Sequence, residues 1–219
     1  KIPNSNSYAL MAQAQALGIE PVLLGLARDD PEELAQFLRR GLLFDVVLVS
    51  GGSSVGVHDH VRPTLEALGV DMHFWRVEMR PGHPVAFGST AISHVFGLPG
   101  NPVSGMVCFE QFVVPALRRM MGHARLFRRT LEARLAHPVK IRPGRTEFIR
   151  VVLERDAAGA YVASSTGNQS SGALLSMALA DALLVVPAAS AGLAAGEAAM
   201  VQLLDGADFQ TDPGFEGEL

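Results

Sequence analysis

Asp45-Val46-Val47-Leu48-Val49-Ser50-Gly51-Gly52-Ser53-Ser54-Val55-Gly56 decides the fold class. Its first half is a continuous, β-branched apolar run, the pattern of a strand buried on both faces inside a sheet covered by helices. Its second half is a glycine turn that leads into a helical pattern from about His60 to Leu68. A buried strand that gives way to a helix through glycines is where open α/β sheets bind ligands. Upstream, Ser7 to Leu17 reads as an amphipathic helix and Pro21 to Leu26 as a strand. Asp29-Asp30-Pro31-Glu32-Glu33 then starts a helix that runs to about Arg40, with an acidic cap and proline in the first turn. Downstream come an extended segment from Met72 to Glu78 and strands at Val85 to Phe87 and His94 to Phe96. A long helix from Pro102 to Met121 closes this region, with Arg118 and Arg119 in its last turn, where positive charge suits the helix dipole. Helices and strands alternating at this spacing predict a three-layer α/β domain with a mostly parallel sheet over residues 1–125.

The pattern changes near Leu126. Short runs of alternating character occupy Leu131 to Leu135, Glu147 to Leu153, Tyr161 to Ser164, Ala182 to Val186 and Ala199 to Leu203, separated by turns such as Arg142-Pro143-Gly144. They predict a small all-β barrel over residues 126–207. Residues 208–219 are rich in Gly, Asp and Glu with little apolar content, and are expected to form a disordered tail.

With 219 residues and 48% hydrophobic composition, the chain has ample material for a core. Its apolar runs fall well short of the roughly 20 residues that a membrane helix needs, so no membrane association is expected. Cys108 is the single cysteine, which excludes an internal disulfide and a thiolate zinc site within one chain and points to the cytoplasm. The N-terminus lacks both an initiator Met and the order of a signal peptide, so the chain reads as part of something longer. The formal charge of −4 conceals a basic stretch: Arg118 to Arg155 holds eleven Lys/Arg against Glu132, Glu147 and Glu154, a balance of +8. Few aromatics accompany it, which favours a small anionic ligand over a nucleic acid.

Four loops carry candidate chemistry. The Ser50 to Gly56 turn presents main-chain N–H groups to an anion, although a tight strand-to-helix turn without a ligand would look the same. Asp59 lies beyond it, beside His58 and His60, and Asp29 and Asp30 come after another expected strand; such carboxylates suit Mg²⁺ beside a phosphate, but for each taken alone a helix cap is the better reading. Leu98-Pro99-Gly100-Asn101-Pro102-Val103-Ser104 is a proline-braced helix start with more constraints than a cap requires, and an anion site is favoured there. Arg80-Pro81-Gly82-His83-Pro84, Arg142-Pro143-Gly144-Arg145 and Thr166-Gly167-Asn168-Gln169-Ser170-Ser171 combine arginines, hydroxyls and amides suited to a tetrahedral oxyanion; taken individually, surface decoration is the better reading of each. No HExxH pair and no GxSxG elbow is present, against a zinc protease or a serine hydrolase.

In order, NSNSY (4–8), GLARDDP (25–31), DVVLVSGGSSVGVHD (45–59), MRPGHPVAFG (79–88), FGLPGNPVS (96–104), PGRTEFIR (143–150) and STGNQSS (165–171) resemble the blocks of the molybdopterin molybdenumtransferases, the family of bacterial MoeA and the gephyrin E domain. The resemblance runs from Ile2 to about Leu204. It implies a molybdopterin-binding domain like that of MogA, then a β-barrel. It also implies Mg²⁺-assisted cleavage of adenylylated molybdopterin, with insertion of molybdate into the dithiolene and release of AMP. Asp59 and Asp29 match acidic residues needed for activity and for Mg²⁺. Asn4, Ser5, Asn6, Ser50, Gly51, Gly52, Ser53, Gly56, Pro99, Gly100, Asn101 and Pro102 would hold the pterin and phosphates; Arg80, His83, Ser104, Arg145 and Ser171 would form the molybdate cage.

Two departures stand out. Lys is common in the family at the positions of Arg80 and His83, and a histidine in the cage makes pH-dependent oxyanion affinity an expectation. The family's two further N-terminal domains, which complete the active site of a homodimer, are not in this sequence, so the chain by itself is expected to be catalytically weak or inactive. A molybdopterin adenylyltransferase is the enzymatic alternative, against which the β-rich half argues. A non-catalytic, peptide-binding scaffold of the gephyrin kind is the alternative from another class.

Overall fold

A computed structural model describes residues 4–28, 30–52, 60–206 and 208–215. The chain forms two compact units, one of residues 1–77 with 82–109 and the other of residues 78–81 with 110–219. The second limit falls inside the long helix, whereas the sequence suggests a division near residue 125.

In the first unit, α1 (Ser5–Ala16) begins at Asn4, whose Oδ1 accepts from the N–H of Ser7 at 3.3 Å. Next, α2 (Pro31–Gly41) has proline in its first turn with Glu32 and Glu33 beside it, and Arg39 and Arg40 at its end, each complementing the helix dipole. The sheet consists of β1 (Val46–Ser50), β2 (Asp71–Phe74), β4 (Ala86–Ser89) and β5 (His94–Leu98) in the order β1-β5-β4-β2, with α3 (Val61–Ala67) between β1 and β2. Leu38, Val47, Val61, Leu65, Val70 and Val95 form a core in which α2 and α3 meet β1 and β5. Their burial is the main stabilising term for this half of the sheet.

Two expectations are corrected here. Pro21 to Leu26 is not a strand, and among the described residues no strand precedes β1. Gly25 holds φ +128°, outside the range of a strand, with the Phe37 ring 3.0 Å from where a Cβ would be. Nor is the sheet mostly parallel: β1 and β5 are parallel, but β5–β4 and β4–β2 are antiparallel. A tight turn in which Thr90 N–H donates to Ser93 O joins β4 to β5. So short a connection permits a hairpin, whereas a parallel pair needs a crossover of about a dozen residues.

The segment expected to be extended from Met72 to Glu78 resolves into β2 and, after a break, β3 (Met79–Arg80), which pairs in the second unit. The long helix is not uniform either. It runs as α4 (Pro102–Cys108), a π-turn (Phe109–Val113) and α5 (Val114–Met120). Pro115 lacks an N–H and would crowd the carbonyl four residues back, at Gln111; widening the turn there relieves both defects.

The second unit contains β6 (Phe127–Arg128), β7 (Thr130–Leu135), β8 (Val139–Lys140), β9 (Thr146–Arg155), β10 (Tyr161–Ser165), α6 (Leu174–Ala178), β11 (Ala182–Val186), β12 (Gly192–Leu193), β13 (Ala198–Leu203) and β14 (Phe209–Gln210). The order β10-β7-β13-β11-β9 closes through a further β10–β9 pairing, giving a five-stranded barrel with β3 added alongside β9. The length of β9 allows this closure: residues 147–151 pair with β11 and residues 151–155 with β10. Ile149, Val151, Ala163, Ala182, Leu184, Val186 and Val201 fill the interior. Of the expected tail, Phe209 is buried and Phe215 meets Phe148 edge-on at 5.9 Å.

Candidate functional site

In the first unit, the C-terminal ends of β1 and β5 lie side by side, with Ser50 opposite Leu98. Gly51 N–H donates to Leu98 O at 3.0 Å. The chain then passes through Gly51 at φ +90° and Gly52 at φ +68°, left-handed conformations in which a side chain would be strained. Two successive glycines are therefore what the turn requires. Gly100 faces this turn, with the Gly51 Cα 3.5 Å from where its Cβ would be.

Asn6, in the first turn of α1, ties the two loops together. Its Nδ2 donates to Ser50 Oγ and to Gly100 O, each at 2.8 Å. Asn4 and Ser5 are thereby held at the same place, at the start of the helix that Gln13 anchors to α4 through a bond from Nε2 to Met106 O. Pro102 occupies the first turn of α4, Asn101 precedes it as the N-cap residue without a side-chain cap bond, and Ser104 is buried in that same turn. The close approach of Gly105, 3.3 Å from Pro99 O to where its Cβ would be, seats the loop on the helix. Asn6, Ser50, Gly51 and Gly100 thus form one cluster with the start of α4 beside it. Free main-chain N–H groups at such a start favour an anion.

Asp29, Ser53, Gly56 and Asp59 lie outside the described residues. Asp30 does cap α2: its Oδ1 accepts from Glu32 N–H at 2.8 Å and Glu33 N–H at 3.1 Å. The N–H groups of Glu33 and then Glu32 hold its carboxyl below the usual carboxylate range. Among the described residues, no group of three or more His, Cys, Asp or Glu could hold a metal ion. Cys108 is buried with Sγ toward Gly82 O, and burial pushes its thiol far up, so it supplies no thiolate nucleophile.

The expected oxyanion residues divide between the units. In the first, His83 Nδ1 faces Val77 O at 2.8 Å, and since a carbonyl can only accept, that nitrogen carries the proton. In the second, β3 runs parallel to β9 and two ion pairs cross between them: Arg80 with Glu147 at 2.9 Å and Arg145 with Glu78 at 2.9 Å. Both arginines are about half exposed, so each remains available to an anion, with a carboxylate already competing for it. Ser171 sits in the loop between β10 and α6.

That loop is anchored by a residue whose role the sequence did not reveal. Arg150 in β9 is 1% exposed. Its Nε donates to Ser176 Oγ at 3.2 Å, and its Nη2 donates to the carbonyls of Asn168 at 3.4 Å and Ser170 at 3.1 Å. The Gln169 carboxamide accepts from Arg150 N–H and donates to Arg150 O, both at 3.0 Å, completing the hydrogen bonding of that strand position with a side chain. Alternation with the core residues Ile149 and Val151 marks Arg150 as an outward position, which normally means solvent. The covering loop is distant in sequence, so no local pattern announces it.

A family model described as a probable molybdopterin binding domain matches residues 1–119, and one described as the MoeA C-terminal region (domain IV) matches residues 132–204. Proteins named molybdopterin molybdenumtransferase are 33% identical over 206 residues in a Nostoc species and over 197 residues in Staphylococcus aureus, covering 92% and 90% of this chain. The chain spans 47% of each, about half the length of these relatives. Among solved structures, the molybdopterin biosynthesis MoeA protein of Pyrococcus horikosii superposes with a TM-score of 0.77 at 31% identity, over 94% of this chain and 49% of that one. A molybdenum cofactor biosynthesis protein of Pyrococcus furiosus gives 0.72 at 29% identity, over 91% and 64%.

Proposed function

The chain belongs to the family of probable molybdopterin binding domains and corresponds to the C-terminal part of MoeA proteins, and from that premise we propose that it is the ligand-binding core of a molybdopterin molybdenumtransferase. The substrate is adenylylated molybdopterin, held at the Ser50-Gly51-Gly52 turn and the Pro99 to Pro102 loop. The reaction cleaves the adenylyl phosphoanhydride, releases AMP and places the metal of molybdate on the dithiolene sulfurs. One observation carries the reading. Asn6 ties the turn after β1 to the loop after β5 and so brings the start of α1 to the main-chain donors that would face the phosphate groups.

Arg80, His83, Ser104, Arg145 and Ser171 are the proposed molybdate ligands, supported by the family resemblance and by a donor chemistry suited to a tetrahedral dianion. Mg²⁺ dependence, with Asp29 and Asp59 as its carboxylates, belongs to the same proposal. A bound Mg²⁺ would neutralise charge on the anhydride as it breaks. Its support is the resemblance alone, because both positions lie outside the described residues. A cytoplasmic homodimer of the longer protein, and domain limits of 1–125 and 126–207, complete the proposal. The match of residues 132–204 to the MoeA C-terminal region favours it over an adenylyltransferase, which resembles the first half alone. Among the described residues, no helix is long and apolar enough to cross a membrane.

The test is AMP release from adenylylated molybdopterin with Mg²⁺ and molybdate, by this chain and by the protein extended to the length of its relatives, with Asp59→Asn as the control. The extended protein should release AMP well above the control. Release no greater than the control would sink the proposed reaction.

A further inference from the structure

Arg150 is a buried guanidinium whose three side-chain hydrogen bonds all go to neutral acceptors: the hydroxyl of Ser176 and the carbonyls of Asn168 and Ser170. Burying a cation without a carboxylate is costly, and carbonyl dipoles orient around the charge without cancelling it. The neutral acceptors leave a net positive charge beneath the Thr166 to Ser171 loop. Burial lowers the Arg150 pKa from its ordinary value, yet a guanidinium starts so high that the charge remains at neutral pH.

The same residue also sets the shape of the loop. Its main-chain O accepts from Thr166 N–H at 3.1 Å, Thr166 Oγ1 at 3.3 Å and Gln169 Nε2 at 3.0 Å, while its N–H is taken by Gln169 Oε1. Within the loop, Ser170 N–H donates to Asn168 Oδ1 at 2.9 Å, and Ala173 N–H donates to Ser170 O at 3.1 Å, the carbonyl that Arg150 already grips. The fork geometry of arginine is what allows one side chain to hold Asn168, Ser170 and Ser176 together.

We propose that Arg150 is a positioning residue for oxyanion binding: it fixes the Thr166 to Ser171 loop and supplies an uncancelled positive charge under it, so that Ser171 is presented to a tetrahedral dianion. This inference rests on the molybdate role proposed above and assigns that role an electrostatic source outside the cage itself. In low dielectric such a charge acts over a longer range than an exposed one.

The experiment is a calorimetric titration of the extended protein with inorganic molybdate at two ionic strengths, for wild type, Arg150→Gln, Arg150→Lys and Ser176→Ala, with circular dichroism confirming the fold of each. Arg150→Gln is expected to weaken binding by roughly tenfold or more and to change its salt dependence, because the guanidinium hydrogen bonds and a charge are removed together. Arg150→Lys, which keeps the charge without the fork, should recover part of the loss. Ser176→Ala should weaken binding a few-fold. A merely structural Arg150 would move thermal stability and leave the salt dependence where it was. Wild-type affinity and salt dependence in a folded Arg150→Gln protein would overturn the inference; if that variant does not fold, the same result in Ser176→Ala overturns it. A wild-type protein that releases AMP but shows no molybdate binding overturns it as well, leaving the proposed reaction intact, whereas absence of both removes the reaction and the inference together.

Discussion

Two buried arginines in the second unit have opposite surroundings. Arg128, in β6, donates from Nε to Glu110 at 2.9 Å with both side chains nearly inaccessible, and from Nη1 to Gly206 O. The ring of Phe209 lies 4.9 Å from the Arg128 guanidinium and 3.4 Å from that of Arg118. Charge there is cancelled and then covered by an aromatic ring, and the cluster ties the C-terminal segment to Glu110. Arg150 is buried as deeply but meets hydroxyl and carbonyl oxygens alone. A neutralised cation is a structural element, whereas an uncancelled one attracts an anion.

The largest effect expected from breaking this contrast is at the neutralised pair. Glu110→Ala leaves Arg128 buried without its carboxylate and should cost about 3–5 kcal/mol of stability, read as a lowered denaturant midpoint. Molybdate affinity of the protein that remains folded should not change. A parallel loss of affinity would show that the two arginines are not separate. Phe209→Ala comes next, with a loss of about 3 kcal/mol from the removed ring and its contacts with the two guanidiniums. Proteolysis should then cut first near residues 205–215, again without an effect on oxyanion binding.

Asn6→Ala provides a neutral counterpart in the first unit. Removing the bridge between Ser50 and Gly100 should cost about 1 kcal/mol in stability. AMP release by the extended protein should fall while the salt dependence of molybdate binding stays as it was. Unchanged AMP release would remove the observation on which the proposed function stands.

The smallest effect concerns Asp30, an exposed charge satisfied by main-chain groups and in that sense the mirror image of Arg150. Its folded-state pKa lies below 3.8, so its contribution is complete above that pH and is lost as pH falls through the folded value. Asp30→Asn retains an oxygen for the cap and should flatten the acid limb of a plot of melting temperature against pH below about 4. An acid limb identical to that of wild type would refute this assignment.

How much was legible in advance differs between the two halves of the site. The Ser50-Gly51-Gly52 turn and the Pro99 to Pro102 loop could be read from the chain because their conformations are local: glycine permits positive φ, proline fixes φ, and neither needs a distant partner. The bridge from Asn6 could not be read that way, since it joins residues 44 and 94 positions apart. Arg80 and Arg145 stood out as cations beside prolines, but their pairing with Glu147 and Glu78 depends on β3 being added beside β9, a register no periodicity encodes.

By itself, then, the sequence determined the features that short-range sterics and side-chain periodicity dictate: the helix start at Asp30, the strand from Val46 to Ser50, although as an edge strand it buries only Val47, the glycine turn after it, and the change to a β-rich second half. Tertiary structure alone decided the antiparallel β4, the loss of a strand at Pro21 to Leu26, the closure of the barrel through β9 and the environment of each arginine. Strand partners and counter-charges are set by chain segments far apart in sequence. Whether a buried cation meets a carboxylate or a carbonyl is settled only when those segments pack.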